Sequence, residues 1–464
     1  MWEAFSKKVI VITGGSGFLG TVLAHRIVSS TNAARVYVIS RSDTQHVHRK
    51  WEERLALFGL EALAHDKITI IQGNTQLPNM GMAEEDVIHL QRTANFIIHA
   101  ASSINLKKPL PALTDPVIRA SLHVADFALG CANLIQLAFV STAYVNAFLY
   151  WTPAAHKEPS SIEERIYPLS EGDPARPAIT EWHEVEQHGS SWEYKAHAFP
   201  AAYTYAKHLT ERLLLERFRL ADVAHKLLIM RPSSIGPAQG YPCPGFSFAE
   251  SAPVVAAAAA LLLAPFQTVT IPSSLDHPDE ESLCDEVPVD VVAERILAHL
   301  ACGTAGIVHA VAGEAGQMCL GRFWAEVHAC DRMPWQKRVR YVPEGTPEDA
   351  LHPIARVYNG LGMARLAFAD ERTVQLERRL REAGLSTSSL FLQNRDQYHQ
   401  LAGRAVAVEA GMRLVAHHSR LLTLMYWVFY ARAGWSHFMT IHGSEEPSAG
   451  MIGDPSEKRY CFYV

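Results

Sequence analysis

The run Val9-Ile10-Val11-Ile12-Thr13-Gly14-Gly15-Ser16-Gly17-Phe18-Leu19-Gly20 constrains this chain more than any other. Four consecutive β-branched residues predict a strand covered on both faces, as inside a parallel sheet. Gly15, Gly17 and Gly20 then satisfy G-x-G-x-x-G, and the stretch from Thr13 satisfies T-G-x-x-G-x-x-G. Leu19, Val22, Leu23 and Ile27 follow at helical spacing. Strand, glycine turn and helix in that order are what give this pattern its meaning. Side chains in the turn would block a pyrophosphate from the helix N-terminus, where free N–H groups and the helix dipole favour an anion.

Five further runs have strand character: Val36–Ser40, Lys67–Ile71, Asn95–His99, Leu134–Val140 and Lys226–Met230. Segments of helical length separate most of them. Strands alternating with helices predict an α/β fold, a Rossmann-type doubly wound parallel sheet. Residues 147–200 break the alternation with a long, polar, mixed stretch, expected to be an insertion over the substrate end of the sheet. Beyond Pro343 the pattern becomes helical, with candidates at 370–383, 396–407 and 412–431. The Pro/Gly-rich Val342–Asp349 marks a boundary. The expected division is a nucleotide-binding and substrate unit over 1–343, its substrate part from about 235, and a helical region over 344–464.

Composition narrows the partners. Lys plus Arg is 42 against 48 Asp plus Glu, a net charge of −6, which argues against a nucleic-acid binder. Seven cysteines with no C-x-x-C exclude a zinc ribbon and a disulfide scaffold, and suit a reducing compartment. Cys243 is expected to be a packed or loop thiol. The histidines show no metal-ligand spacing, so no metal is expected. Met1–Lys8 is too short and polar for a signal peptide, which points to a cytoplasmic protein. The apolar run 252–266 holds two prolines and is shorter than the ~20 residues a membrane span needs, so it reads as a buried or interfacial helix. Leu421–Ala431 reads as a core helix, with a membrane-interface helix or an acyl-chain wall as the alternative. The last four residues match C-a-a-X only formally.

The end of the second strand selects the cofactor. NAD binders usually place Asp or Glu there, whereas this chain has Ser40-Arg41-Ser42. Arg41 suits a 2′-phosphate, so NADPH is expected, with Arg49, Lys50 and Arg54 forming a cationic cluster nearby. Asp43 would take the ribose if Arg41 points away. Further on, Tyr203 and Lys207 form Y-x-x-x-K, and residues four apart share a helix face. An ammonium beside the phenol favours phenolate and prepares Tyr203 to donate a proton to a carbonyl oxygen. Tyr205 has Leu209 at that spacing and does not qualify. A hydroxyl from Ser141 or Thr142, at the end of the fifth strand, would hold the same oxygen.

Together these pieces resemble the extended short-chain dehydrogenase/reductases, and within them the fatty acyl-CoA reductases of the male-sterility type and related thioester reductase domains. The resemblance runs over about residues 8–315. It rests on VIVITGGSGFLG (9–20), HAASSINL (99–106), FVSTAYVN (139–146), YTYAKHLTERLL (203–214), IMRPSSIGPAQGYPCPGF (229–246) and DEVPVDVVAERIL (285–297), with IEERIYP (162–168) in the insertion. It implies Thr142 as the hydroxyl member of the triad, with Ser141 as the alternative, Tyr203 as proton donor and Lys207 as its partner and ribose ligand. It implies Gly14, Gly17 and Gly20 along the pyrophosphate, and Pro232, Ser233 and Ser234 near the nicotinamide. Thr13, Gly15, Ser16, Phe18, Leu19 and Ala100 complete the expected cofactor lining. Two positions depart from the family. Asn74 stands where an Asp usually holds the adenine, and Ser121 stands where an Asn usually supports the proton relay.

The activity this implies is NADPH-dependent reduction of an acyl thioester, on CoA or a carrier protein, to an aldehyde or, with a second hydride, to an alcohol. Peripheral contact with an organelle membrane goes with such a substrate. The alternatives are reduction of a ketone or aldehyde on an apolar metabolite, and a reductase scaffold serving as cyclase, isomerase or binding protein.

Overall fold

The computed structural model describes residues 2–55, 63, 66–151, 161–169, 176–313, 316–362 and 364–431, the side chains of 151 and 358–362 excepted. Seven strands form one parallel sheet in the order β10-β6-β5-β4-β1-β2-β3. They are β1 (Val9–Thr13), β2 (Arg35–Ser40), β3 (Ile68–Gln72), β4 (Phe96–His99), β5 (Gln136–Val140), β6 (Leu227–Pro232) and β10 (Gly306–Ala310). The order reverses between β1 and β4, whose register pairs Ile10 with Phe96 and Thr13 with His99. Chains leave β1 and β4 in opposite directions there, which opens a crevice at the carboxyl ends of the strands.

The apolar runs are continuous because both faces of the sheet are covered. Ile10 and Ile12 of β1 enter one core with the helix Phe18–Ser30 and the helix Val289–Ala301, while Val11 enters the other. Leu228 and Met230 of β6 likewise face the first core, and Leu227 and Ile229 the second. The second core is closed by the helices Ala120–Leu129, Ala178–His188 and Ala202–Leu220. Fully burying such a side chain contributes roughly 1.5–3 kcal/mol, so alternation across two cores makes the register of β1 and β6 hard to shift.

Two smaller sheets accompany the large one. β7 (Ser234–Gly236) and β11 (Gln317–Met318) flank β9 (Cys284–Pro288), and β8 (Thr268–Pro272) pairs with β12 (Arg338–Val342). The run between Pro253 and Pro265 is a helix, Pro253–Leu263, packed in the core. Its partner is the helix Ala405–Ala416, and the two approach closely because a Cβ on Gly411 would lie 2.9 Å from that of Ala259.

The helical region is cut differently from the periodicity. Instead of 396–407 and 412–431, the chain forms Arg395–His399, then Ala405–Ala416, then Arg420–Met425 and a π-turn over Tyr426–Tyr430. Tertiary contacts tie these pieces to the rest of the chain. Arg404 turns inward to the buried carboxylate of Glu286 (2.5 Å), and Tyr430 reaches back to Leu262 O (3.0 Å) and Asp331 (2.7 Å). Cys243 is buried and disulfide-bonded, where a free thiol was expected. Spacing in a sequence does not report which thiols meet in space.

Candidate active site

The glycine turn sits at the switch point between β1 and β4. Gly14 has φ +75°, which only glycine adopts without strain, and a Cβ there would meet Ala101 N at 2.7 Å. A Cβ on Gly15 would strike Val38 at 2.6 Å, and one on Gly20 would strike the Gly14 carbonyl. Gly17 is the N-cap of the 18–30 helix and offers no side-chain cap, so the first-turn N–H groups of Phe18, Leu19 and Gly20 face the turn without a side-chain acceptor. Thr13 is buried at the end of β1, and its carbonyl accepts from Ala100 N (3.2 Å). Ser16, half-buried, completes the turn. A glycine cradle closed to any side chain and open to an anion fits a dinucleotide pyrophosphate.

At the end of β2 the expected cationic cluster divides. Arg54 pairs with both oxygens of Glu250 (2.7 and 3.3 Å), and Arg49 turns to His46 (2.8 Å) and Glu53 (3.9 Å). Lys50 lies over Phe248, with its pKa lowered by burial. Arg41 is exposed and has no side-chain partner among the described residues. Asp43 is occupied as well, since its Oδ1 accepts from His46 N (2.8 Å) at the start of the helix Thr44–Leu55. Arg41 and Asn74 line one cavity of about 430 Å³ together with Asp86. Asn74 Oδ1 accepts from Gln76 N (3.1 Å), and its side-chain nitrogen has no protein partner among the described residues.

The 202–220 helix carries Tyr203 and Lys207. Tyr203 and Lys207 are one turn apart, and Tyr203 and Tyr205 lie about 200° apart around the axis. That difference separates their environments. The Tyr205 hydroxyl bonds Glu181 (2.5 Å) and Ser191 (2.6 Å), locking the insertion helix Ala178–His188 to the 202–220 helix. The Tyr203 hydroxyl has no protein partner among the described residues, and burial raises its pKa. Lys207 is 1% exposed and donates from Nζ to Val140 O (2.8 Å), the carbonyl that precedes Ser141 and Thr142. Burial pushes its ammonium down to about 7, against a smaller upward effect of Glu211. Phe139 lies beneath it, with Nζ 4.5 Å from the ring centroid. Both hydroxyls at the strand end are buried. Thr142 Oγ1 accepts from Tyr144 N (3.3 Å), and Ser141 Oγ has no protein partner among the described residues.

Pro232 ends β6 and Ser234 begins β7, with Ser233 between them. Ser233 donates to Asp285, whose carboxylate also accepts from Ala312 N (2.8 Å) and Gly313 N (3.1 Å). Burial raises Asp285 to about 6. Asp285, Phe139, Glu181 and His99 carry no local signal of a role, because their partners lie far away along the chain. Asp285, Phe139 and His99 nevertheless stand inside the motifs that carry the resemblance.

A family profile described as Male sterility protein matches residues 12–296. Fatty acyl-CoA reductase 1 of Homo sapiens is 26% identical over 307 residues, covering 64% of this chain and 55% of that protein. The chain thus spans about half the length of the curated relatives it matches. Among solved structures, the reductase domain of a nonribosomal peptide synthetase from Mycobacterium tuberculosis superposes with TM-score 0.59 at 15% identity, covering 88% of this chain and 93% of that one. The terminal R domain of the myxalamid PKS-NRPS pathway gives 0.56 at 18%, covering 85% and 90%. At these identities the likeness is one of fold.

Proposed function

Because the chain belongs to the male sterility protein family, we propose that it reduces an acyl thioester to an aldehyde with NADPH. The observation that carries this reading is the 2.8 Å bond from Lys207 Nζ to Val140 O, which seats the Tyr203–Lys207 face beside the Ser141–Thr142 strand end. The glycine cradle, with Thr13, Gly14, Gly15, Ser16, Gly17 and Gly20, supports a pyrophosphate site. Ala100 borders it, Asn74 is assigned to the adenine, and Pro232, Ser233 and Ser234 to the nicotinamide end.

When bound, NADPH supplies the hydride. Thr142, with Ser141 as the alternative, holds the thioester oxygen as charge develops on it. Tyr203 gives that oxygen its proton, and Lys207 supports the phenolate left behind. The resulting hemithioacetal loses its thiol and leaves an aldehyde, and a second round would give an alcohol. The thiol carrier is CoA or a carrier protein. The deciding assay mixes protein, NADPH and a long-chain acyl-CoA, follows cofactor absorbance and identifies products by mass spectrometry. No acyl-dependent oxidation with any thioester would sink the reading.

NADPH is favoured over NADH because Arg41 is free while Asp43 caps a helix. Asp86, in the same cavity, is a carboxylate that suits a ribose hydroxyl, so the two cofactors are to be compared directly. Hydrogen bonds to a charged group are worth about 1.5–3 kcal/mol, so Arg41→Ala is expected to raise KM for NADPH roughly tenfold to a hundredfold. KM for NADH should barely move. Equal effects on both cofactors would assign Arg41 elsewhere.

No helix among the described residues is long and apolar enough to cross a membrane. The same reading assigns peripheral contact with an anionic lipid surface to the face of Leu421, Leu424, Trp427 and Val428, which are 56%, 60%, 62% and 62% exposed. Arg420 adjoins it, and no Asp or Glu occurs between Ala410 and Gly443. An apolar face with a cationic flank and a tryptophan suits such a surface, and an apolar product would partition into it. Trp427→Glu with Leu424→Glu should reduce co-sedimentation with phosphatidylserine-containing vesicles by roughly tenfold or more. Unchanged sedimentation would remove the lipid assignment.

A further inference from the structure

Four buried groups at the sheet's switch point form one directed string of hydrogen bonds. Thr13 Oγ1 lies 2.7 Å from His99 Nδ1, and His99 Nε2 lies 3.1 Å from Ser121 Oγ. Ser121 Oγ donates to Val117 O (2.6 Å), and Thr13 Oγ1 accepts from Ala101 N (3.3 Å). Counting protons settles the directions. The single Ser121 proton goes to Val117 O, so Ser121 must accept from His99, and Nε2 carries hydrogen. Nδ1 is then a lone pair and receives the Thr13 proton. A cationic ring would put two donors on Thr13 Oγ1 and leave the Thr13 proton without an acceptor.

The string joins two parts of the site. Thr13 leads into Gly14 at the start of the glycine turn. Ser121 lies in the first turn of the 120–129 helix, just after the π-turn Thr114–Arg119. The His99 ring also stacks on Phe139 (5.7 Å between centroids, 27° between planes), which carries Lys207 above it. One imidazole therefore touches the nucleotide turn, the helix and the aromatic floor beneath the amine.

We infer that His99, held as the neutral Nε2–H tautomer, is a positioning residue that couples Ser121 and the Lys207 floor to the glycine turn, so that Ser121 contributes to cofactor affinity without touching the cofactor. Lys207 is the charged group facing it. Burial and the Lys207 charge together push the imidazole down to about 3, so the ring stays neutral as the string requires.

The inference rests on the cofactor reading for one measurement and is independent of it for another. In the independent one, nitrogen-15 spectra of the wild-type protein should show an Nε2–H tautomer for His99 with no titration between about pH 5 and 8. An Nδ1–H tautomer, or titration in that window, overturns it. In the dependent one, NADPH binding is titrated for wild type, Ser121→Ala, His99→Phe and the double variant. Ser121→Ala should weaken binding by about threefold to tenfold, the loss of one buried hydrogen bond, and His99→Phe by about tenfold. The double variant should bind no worse than His99→Phe alone, because the string is already cut. Additive losses, or Ser121→Ala binding as wild type, overturn the coupling. If His99→Phe does not fold, Ser121→Ala and the spectrum decide. Wild type failing to bind NADPH would count against the cofactor reading, and the spectrum would still judge the string.

Discussion

Replacing Tyr203 by Phe is expected to lower acyl-thioester-dependent NADPH oxidation by about 10²–10⁴-fold, with NADPH affinity nearly unchanged. The size follows from losing a positioned proton donor while everything around it stays. Phe keeps the ring that packs in the second core, so the fold should hold. The hydroxyl removed has no protein partner among the described residues, so its loss leaves no protein group without a bond. Ser141 and Thr142 remain to hold the oxyanion, which is why the rate should fall short of zero. Tyr205→Phe is the matched control on the same helix. Its hydroxyl binds Glu181 and Ser191, and losing it should lower stability by about 1–3 kcal/mol while turnover stays near wild type. Equal rates for wild type and Tyr203→Phe, or a larger loss of turnover in Tyr205→Phe, would move the chemistry away from Tyr203.

Gly20→Ala should remove most NADPH binding, although it adds only one methyl group. The added Cβ would fall on the Gly14 carbonyl and lie 2.8 Å from Gly15 Cα. Both obstacles are backbone, so no rotamer change relieves them, and the turn must move away from the helix. Overpacking of this kind costs about 1–3 kcal/mol, or roughly a fivefold to hundredfold loss if all of it falls on the bound state. The displaced turn also carries the first-turn N–H groups off the phosphate position, which adds to the loss. Gly245→Ala supplies the contrast, since no atom lies within 4 Å of its Cβ position, although its φ of +79° still strains a side chain. Calorimetric titration with NADPH, alongside melting curves, separates affinity from stability. Tight binding by Gly20→Ala would show that pyrophosphate does not sit on this turn.

Much of the fold was legible because its signals are local. A run such as Val9–Ile12 has to be covered on both faces, and a glycine at each crowded turn position follows from sterics within a few residues. Helical arithmetic distinguished Tyr203 from Tyr205, and the structure gives the two hydroxyls different surroundings for the same reason. Other features were hidden. Arg41, Arg49, Lys50 and Arg54 look alike along the chain. Only folding brings Glu250 to Arg54, 196 residues away, and leaves Arg41 open. The helix break near 404 was missed because the partner found there is distant, the carboxylate of Glu286 that Arg404 meets in the interior.

The sequence by itself determined the parallel sheet, the nucleotide turn and the presence of a Tyr–Lys pair. Each depends on spacing and side-chain shape over a few residues, which the chain carries wherever it goes. Tertiary structure alone decided which charges stay free, which hydroxyls are committed and how His99 is protonated. Those depend on groups far apart along the chain meeting in space, Arg54 with Glu250 at the surface across 196 residues and His99 with Ser121 in a dry interior across 22. There a missing partner is costly, so the partner that arrives sets the role.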